Sequence, residues 1–84
     1  MLTHWEIVDL AKRKDTKEQA IAVFADNDIE AYDGDALQAK FVVIGFAAPY
    51  VVVQRKSDDK KGTLQFFHSP RVYFDFVEDL EDLV

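Results

Sequence analysis

The fold is decided by residues 40–77, which read KFVVIGFAAPYVVVQRKSDDKKGTLQFFHSPRVYFDFV. This stretch holds four segments rich in β-branched and aromatic residues, and turn-forming residues separate them. The segments are 41–46, 50–54, 63–68 and 71–77. Because short apolar segments with such connections form neighbouring antiparallel strands, the pattern predicts a four-stranded meander.

The connections between these segments carry different signals. Gly45 within an apolar run predicts a β-bulge, and Pro49 cannot donate a ladder hydrogen bond, so 47–49 is a bend or an edge position. A hairpin and one long kinked strand are both compatible with this signal. The polar loop 57–62, which ends in glycine, predicts a hairpin connection, and 68–71 contains the next turn.

Two short helices are predicted within residues 1–27. Thr3 and Glu6 have the spacing of a capping box, so a helix should start there. Trp5 and Val8 then recur at helical spacing and should face the core. A second helix is expected over 16–26, and the two form a helical hairpin laid over one face of the sheet.

Residues 28–39 form an acidic turn or an edge strand. Asp33 and Gly34 are a favoured hairpin dipeptide and predict a tight turn, preceded by a possible strand over 29–32. Residues 36–40 either extend the next strand or form a helical turn, and 78–84 are an acidic tail. The chain is therefore expected to be one α+β domain, 1–84, with two N-terminal helices packed on a four- to five-stranded antiparallel meander sheet in two layers.

Composition limits the function classes. The 84 residues include no cysteine, which excludes disulfides and thiolate metal sites and favours the cytoplasm. The uncharged run 41–53 is shorter than the roughly 18 residues that cross a membrane. The net charge of −6 disfavours direct nucleic-acid binding. A soluble, cytoplasmic protein without membrane contact is expected.

No residue pattern predicts catalysis, a cofactor or a metal site. His4 and His68 lack neighbouring ligands at metal-binding spacing. The run that starts at Asp26 resembles the beginning of a calcium loop, but Ala31 and Leu37 stand where that loop needs glycine and glutamate. The expectation is a non-enzymatic protein with no cofactor and no metal.

The surplus of aromatic residues favours binding to another protein. Strand alternation places one set of side chains toward the helices and leaves a second sheet face that is partly aromatic. Such a face is typical of an interaction surface, so a protein-interaction module is predicted, as a homodimer or with another protein, through this face or an exposed edge strand. The residues predicted to bind the partner are Phe46, Tyr50, Phe67 and Tyr73.

Two alternatives belong to other function classes. An acidic protein can imitate nucleic acid and regulate or inhibit a nucleic-acid-handling protein. The acidic patch for this role would be Asp26, Asp28, Glu30, Asp33 and Asp35. The other alternative is a small-ligand binder with a pocket between helices and sheet. That pocket would be lined by Trp5, Phe24, Tyr32 and Phe41.

Overall fold

The computed structural model describes residues 2–79, and these form three helices and one five-stranded antiparallel sheet. The elements are α1 His4–Lys12, α2 Lys17–Ala25, β1 Ala31–Tyr32, α3 Gly34–Lys40, β2 Phe41–Ala47, β3 Tyr50–Arg55, β4 Lys61–Phe67 and β5 Val72–Glu78. The predicted α+β class is confirmed. Most of the predicted acidic tail, residues 80–84, lies outside the described part of the chain. None of the helices within 2–79 is long and apolar enough to cross a membrane.

Both predicted N-terminal helices are present, and their hydroxyl caps explain where they begin. The Thr3 hydroxyl accepts the Glu6 N–H at 3.2 Å, and the Glu6 carboxylate accepts the Thr3 N–H at 3.0 Å, which completes the capping box. Thr16 accepts the Gln19 N–H at 3.2 Å in the same way. The interior of α1 differs from the prediction, because Val8 is buried whereas Trp5 is 63% exposed.

The acidic segment folds differently from the predicted tight turn. Asp33 is the N-cap of α3, and its carboxylate accepts the Ala36 N–H at 2.8 Å, which lowers the pKa of Asp33. The prediction of a hairpin turn at Asp33-Gly34 is therefore wrong. Aspartate is favoured both at a helix N-cap and in a turn, so the residue type alone does not distinguish the two. The edge strand is confirmed in short form as β1, and residues 36–40 belong to a helix.

The strand order is β1-β5-β4-β3-β2, so β2 forms one edge of the sheet and the two-residue β1 forms the other. β2 and β3 form a hairpin, which answers the question that Pro49 left open. The bulge predicted at Gly45 is confirmed by a register shift between Val43 and Gly45. A second shift, between Thr63 and Gln65, lies opposite Asp75, whose backbone has a φ of 59°.

Helices cover both faces of the sheet. α1 and α2 pack on what we call the helix-pair face, where Phe24 stacks on Phe74 at 4.9 Å. α3 covers part of the opposite face, called the α3 face, where Leu37 packs with the buried Leu64. The first core cluster comprises Ile7, Val8, Ala11, Ala20, Val23, Phe24, Phe67, Val72 and Phe74. The second comprises Tyr32, Leu37, Phe41, Val51, Val53, Leu64 and Tyr73.

The sheet curls around the second core cluster. Tyr32 lies on one edge strand and Phe41 on the other, yet their ring centroids are 5.4 Å apart. Phe41 also contacts Phe76 of β5, at 5.3 Å between centroids. Because α3 spans the short path between the two edges, it draws the ends of β1 and β2 together over the α3 face.

Candidate functional site

An apolar surface surrounds the outermost long strand of the sheet, and we call it the β2 patch. Its side chains are 36% to 59% exposed. The members are Val42, Val43, Ile44, Phe46 and Tyr50. β2 pairs only with β3, so its outer backbone N–H and C=O groups have no neighbouring strand within residues 2–79. An exposed apolar edge of this kind marks a site for contact with another chain.

The patch lies on both sides of the strand. Val42 and Tyr50 pair with residues whose side chains lie on the helix-pair face, while Phe46 pairs with the buried Val51 on the α3 face. Neither set of helices reaches this end of the sheet far enough to bury these side chains. The edge of the sheet, rather than one of its faces, is therefore the apolar surface of this region.

The four residues predicted to bind a partner do not share one open face. Phe46 and Tyr50 are 59% and 45% exposed and belong to the β2 patch. Phe67 and Tyr73, in contrast, are buried in the first and second core clusters. The prediction of a common surface is wrong for these two, because helices cover both faces at β4 and β5.

Sequence reasoning missed three members of the β2 patch, Val42, Val43 and Ile44. The available signal was the uncharged run 41–53, which contains the whole of β2 and the first four residues of β3. Natural edge strands are usually protected by charged side chains, so an edge strand without any charge is unusual. The uncharged run does not reveal the strand order, so it does not show which strand lies at the edge of the sheet.

A second candidate site is a cleft of about 790 Å³, where the two edges of the curled sheet approach each other. This volume lies within the range of small-molecule sites. Residues from four stretches of the chain line it: Asp28, Ile29, Glu30, Tyr32, Ala39, Lys40, Phe41, Arg55, Lys56, Ser57, Asp75 and Phe76. The aromatic rings belong to the second core cluster and its border, and the charged groups surround them.

The predicted ligand pocket is only partly reproduced. Tyr32 and Phe41 do meet, and both line the cleft. Phe24 is fully buried in the first core cluster, and Trp5 is exposed on α1, so neither of them is near a shared pocket with the other two. The prediction that the four residues line one pocket is wrong, because α1 and α2 pack on the face opposite the cleft.

Hydrogen bonds hold several groups of the cleft in place. The Tyr32 hydroxyl donates to the Glu30 carboxylate at 2.7 Å, and burial of the phenol together with this carboxylate raises the pKa of Tyr32 to about 12. The Arg55 guanidinium donates twice to Asp58, at 3.0 and 2.6 Å, and lies 4.8 Å from the centre of the Phe76 ring. The cleft is thus bordered by oriented side chains.

Tyr32 should make stability fall with pH in the alkaline range. Its pKa is about 12 in the folded chain against 10.0 for an unperturbed tyrosine, so between these values the unfolded chain has released a proton that the folded chain retains. The free energy of unfolding should therefore decrease as the pH rises from about 10 to about 12. Urea unfolding at a series of pH values measures this, and Tyr32→Phe should have a shallower decrease. Equal slopes for the two proteins would contradict it.

The residues of the predicted acidic patch have separate local roles. Asp33 caps α3 and lies 3.6 Å from the Lys17 ammonium, and Glu30 accepts the Tyr32 hydroxyl. Asp26 is the C-cap of α2, Asp28 has a φ of 60° and lines the cleft, and Asp35 lies in the first turn of α3. Two of the five carboxylates are thus engaged with side chains of this molecule.

Among residues 2–79, no three His, Asp or Glu side chains come together to hold a metal ion. Comparison of the chain with protein-family models, with curated proteins and with solved structures gives no match. The β2 patch and the cleft are therefore the two features from which a function can be argued.

Proposed function

We propose that this protein is a non-enzymatic protein-interaction module that forms a homodimer through the β2 patch. The observation that carries the proposal is the coincidence of an edge strand with apolar side chains, of which Ile44 and Phe46 are 53% and 59% exposed. Association would remove these side chains from water and give the outer backbone groups of β2 hydrogen-bond partners. The isolated chain has neither this burial of apolar side chains nor these hydrogen bonds.

A second copy of the chain fits the chemistry of this edge. The chain carries a net charge of −6, so two copies repel each other on average. Residues 41–53 contain no charge, and contact there keeps the carboxylates of both copies apart. An uncharged apolar edge also offers nothing to an acidic or a basic partner. It is complementary to another apolar strand, which the second copy supplies about a two-fold axis.

The bulge in β2 limits how many backbone hydrogen bonds such a pairing can form. It interrupts the strand between Val43 and Gly45, and bulges commonly limit edge-to-edge pairing. A partner strand could therefore form a regular ladder only over a short length. Most of the association energy would come from the apolar side chains, with Phe46 and Tyr50 as aromatic anchors.

The expected result is a reversible dimer that one substitution in the patch dissociates. Sedimentation velocity across micromolar concentrations should show the wild-type mass rising from one chain to two. Ile44→Lys places an ammonium group in both halves of a symmetric contact and should weaken association on the order of a hundredfold or more. Circular dichroism would verify that the variant keeps its fold.

Trp5→Lys is the matched control. It also replaces an exposed apolar residue by lysine, but it lies on α1, where it is 63% exposed outside the β2 patch. Its dimerisation should equal that of the wild type. A wild-type chain that stays monomeric at every concentration, or a Trp5→Lys effect as large as that of Ile44→Lys, would reject the homodimer.

A further inference from the structure

We propose that the cleft binds a small planar aromatic molecule that carries one anionic group, such as a carboxylate. This site is independent of the β2 patch, since Phe41 is the only residue of β2 that lines it and Phe41 is buried. The proposal rests on three observations: an aromatic floor, fixed cations on one wall, and carboxylates already engaged on the other.

The floor consists of aromatic rings at the border of the second core cluster. Phe41 contacts Tyr32 at 5.4 Å and Phe76 at 5.3 Å between ring centroids. Phe41 is only 3% exposed, and Phe76 is half-buried, so the rings are supported from below. Because Phe41 and Tyr32 are at most 7% exposed, a planar apolar ring placed in the cleft would gain apolar burial mainly against the half-buried Phe76.

The cationic wall has ammonium groups with capacity to bind an anion. Lys56 donates one ammonium hydrogen to the Gln38 carbonyl at 2.7 Å, and its backbone N–H donates to the Lys40 carbonyl at 2.9 Å. The Lys40 ammonium lies 5.6 Å from the centre of the Tyr32 ring. Within residues 2–79 neither ammonium forms an ion pair, whereas the Arg55 charge is matched by Asp58.

The acidic wall has less capacity for a ligand. Glu30 accepts the Tyr32 hydroxyl, and Asp75 accepts from His4, with 2.5 Å between Nε2 and Oδ2. Asp28 lies exposed at the rim. Glu30 and Asp75 already accept hydrogen bonds, whereas the Lys40 and Lys56 ammonium groups form no ion pair with any residue of 2–79, so an anionic group would bind beside the two lysines. The aromatic floor between them favours a ring as the body of the ligand.

Three probes that share the indole ring and have side chains of similar size test this: indole-3-acetate, the neutral indole-3-acetamide and the cationic tryptamine. Each would be titrated into the ¹⁵N-labelled full chain while amide chemical shifts are recorded. Indole-3-acetate should bind at least about tenfold more tightly than either other probe, because it alone brings a negative charge to the lysine ammonium groups. The shifted amides should be those of Lys40, Phe41, Arg55 and Lys56.

Charge-removing variants connect the binding to the lysines. Lys40→Gln and Lys56→Gln should each weaken indole-3-acetate binding about three- to tenfold and leave indole-3-acetamide unchanged. Lys14→Gln removes a lysine outside the cleft and should have no effect. Equal affinity of the acetate and the acetamide, tighter binding of tryptamine, or shifts confined to the β2 patch would each overturn the proposal.

Discussion

Phe67→Ala is expected to lower the free energy of unfolding by about 3–5 kcal/mol, a large part of the total for a domain of this size. The Phe67 ring lies in the first core cluster, 6.3 Å from the Phe24 ring of α2 and 5.7 Å from the Phe74 ring of β5. The Lys12 ammonium covers it at 5.9 Å. Removing this ring opens a cavity in the first core cluster. Urea unfolding followed by circular dichroism measures the loss.

Phe46→Ala is the matched control, because it makes the same chemical change at an exposed position. Phe46 is 59% exposed, and among the aromatic rings of residues 2–79 its ring contacts only that of Phe66, in a T-shaped arrangement with 5.8 Å between centroids. We expect its effect on unfolding to be no more than about 1 kcal/mol at concentrations where the chain is monomeric. Its larger effect should be on dimerisation. Similar unfolding losses for the two variants would contradict the burial of Phe67 in the first core cluster.

The sequence alone does not distinguish the buried Phe67 from the exposed Phe46. Alternation along β4 correctly divides its side chains into two sets, but the set that faces α1 and α2 depends on the register with β5. Phe67 pairs with Val72, so it joins Val72 and Phe74 on the helix-pair face. Leu64 lies on the opposite face, in the second core cluster together with Leu37 of α3. The turn 68–71 fixes this register, and its composition does not reveal it.

The bulge in β5 is a second reason why the sequence does not assign every side chain to the correct face of the sheet. Before Asp75, residues Val72 and Phe74 face the helix pair, but Phe76 packs on the second core cluster, on the opposite face. A strict period of two would have kept all three together. No glycine signals this bulge in the sequence, since Asp75 itself takes the left-handed backbone conformation. Helix starts, in contrast, could be predicted, because hydroxyl caps such as Thr3 and Thr16 act locally.

The β2 patch and the cleft differ in how far the sequence predicts them, because the cleft depends on long-range contacts. The uncharged run 41–53 was visible in the sequence, and so was its apolar character. The cleft depends on contact between Tyr32 and Phe41, which occupy opposite edges of the sheet. They meet only because α3 forms and shortens the path between them. The sequence is compatible with either a strand or a helical turn in that segment, so it does not predict the position of the cleft.

Gly62→Ala is expected to lower the free energy of unfolding by about 2–3 kcal/mol. The sequence places Gly62 at the end of a polar loop, where a glycine is ordinarily needed for the turn. In the structure it lies within β4, opposite Glu78, and is buried. A Cβ atom there would be 2.4 Å from the Val77 carbonyl oxygen and 2.7 Å from two carbons of the Phe76 ring. The glycine is therefore required for close approach of β5.

Gly34→Ala provides the control, since a Cβ at Gly34 would meet no atom within 4 Å and the residue opens α3. That variant should be unchanged or more stable by roughly 0.5 kcal/mol. Gly62→Ala should also displace Phe76, on whose ring the Arg55 guanidinium lies, and so perturb the amide shifts around the cleft. Unfolding curves and ¹⁵N spectra of both variants give the two readouts. Wild-type stability together with an unchanged spectrum for Gly62→Ala would mean that Phe76 does not cover β4, and the floor of the cleft would have to be placed elsewhere.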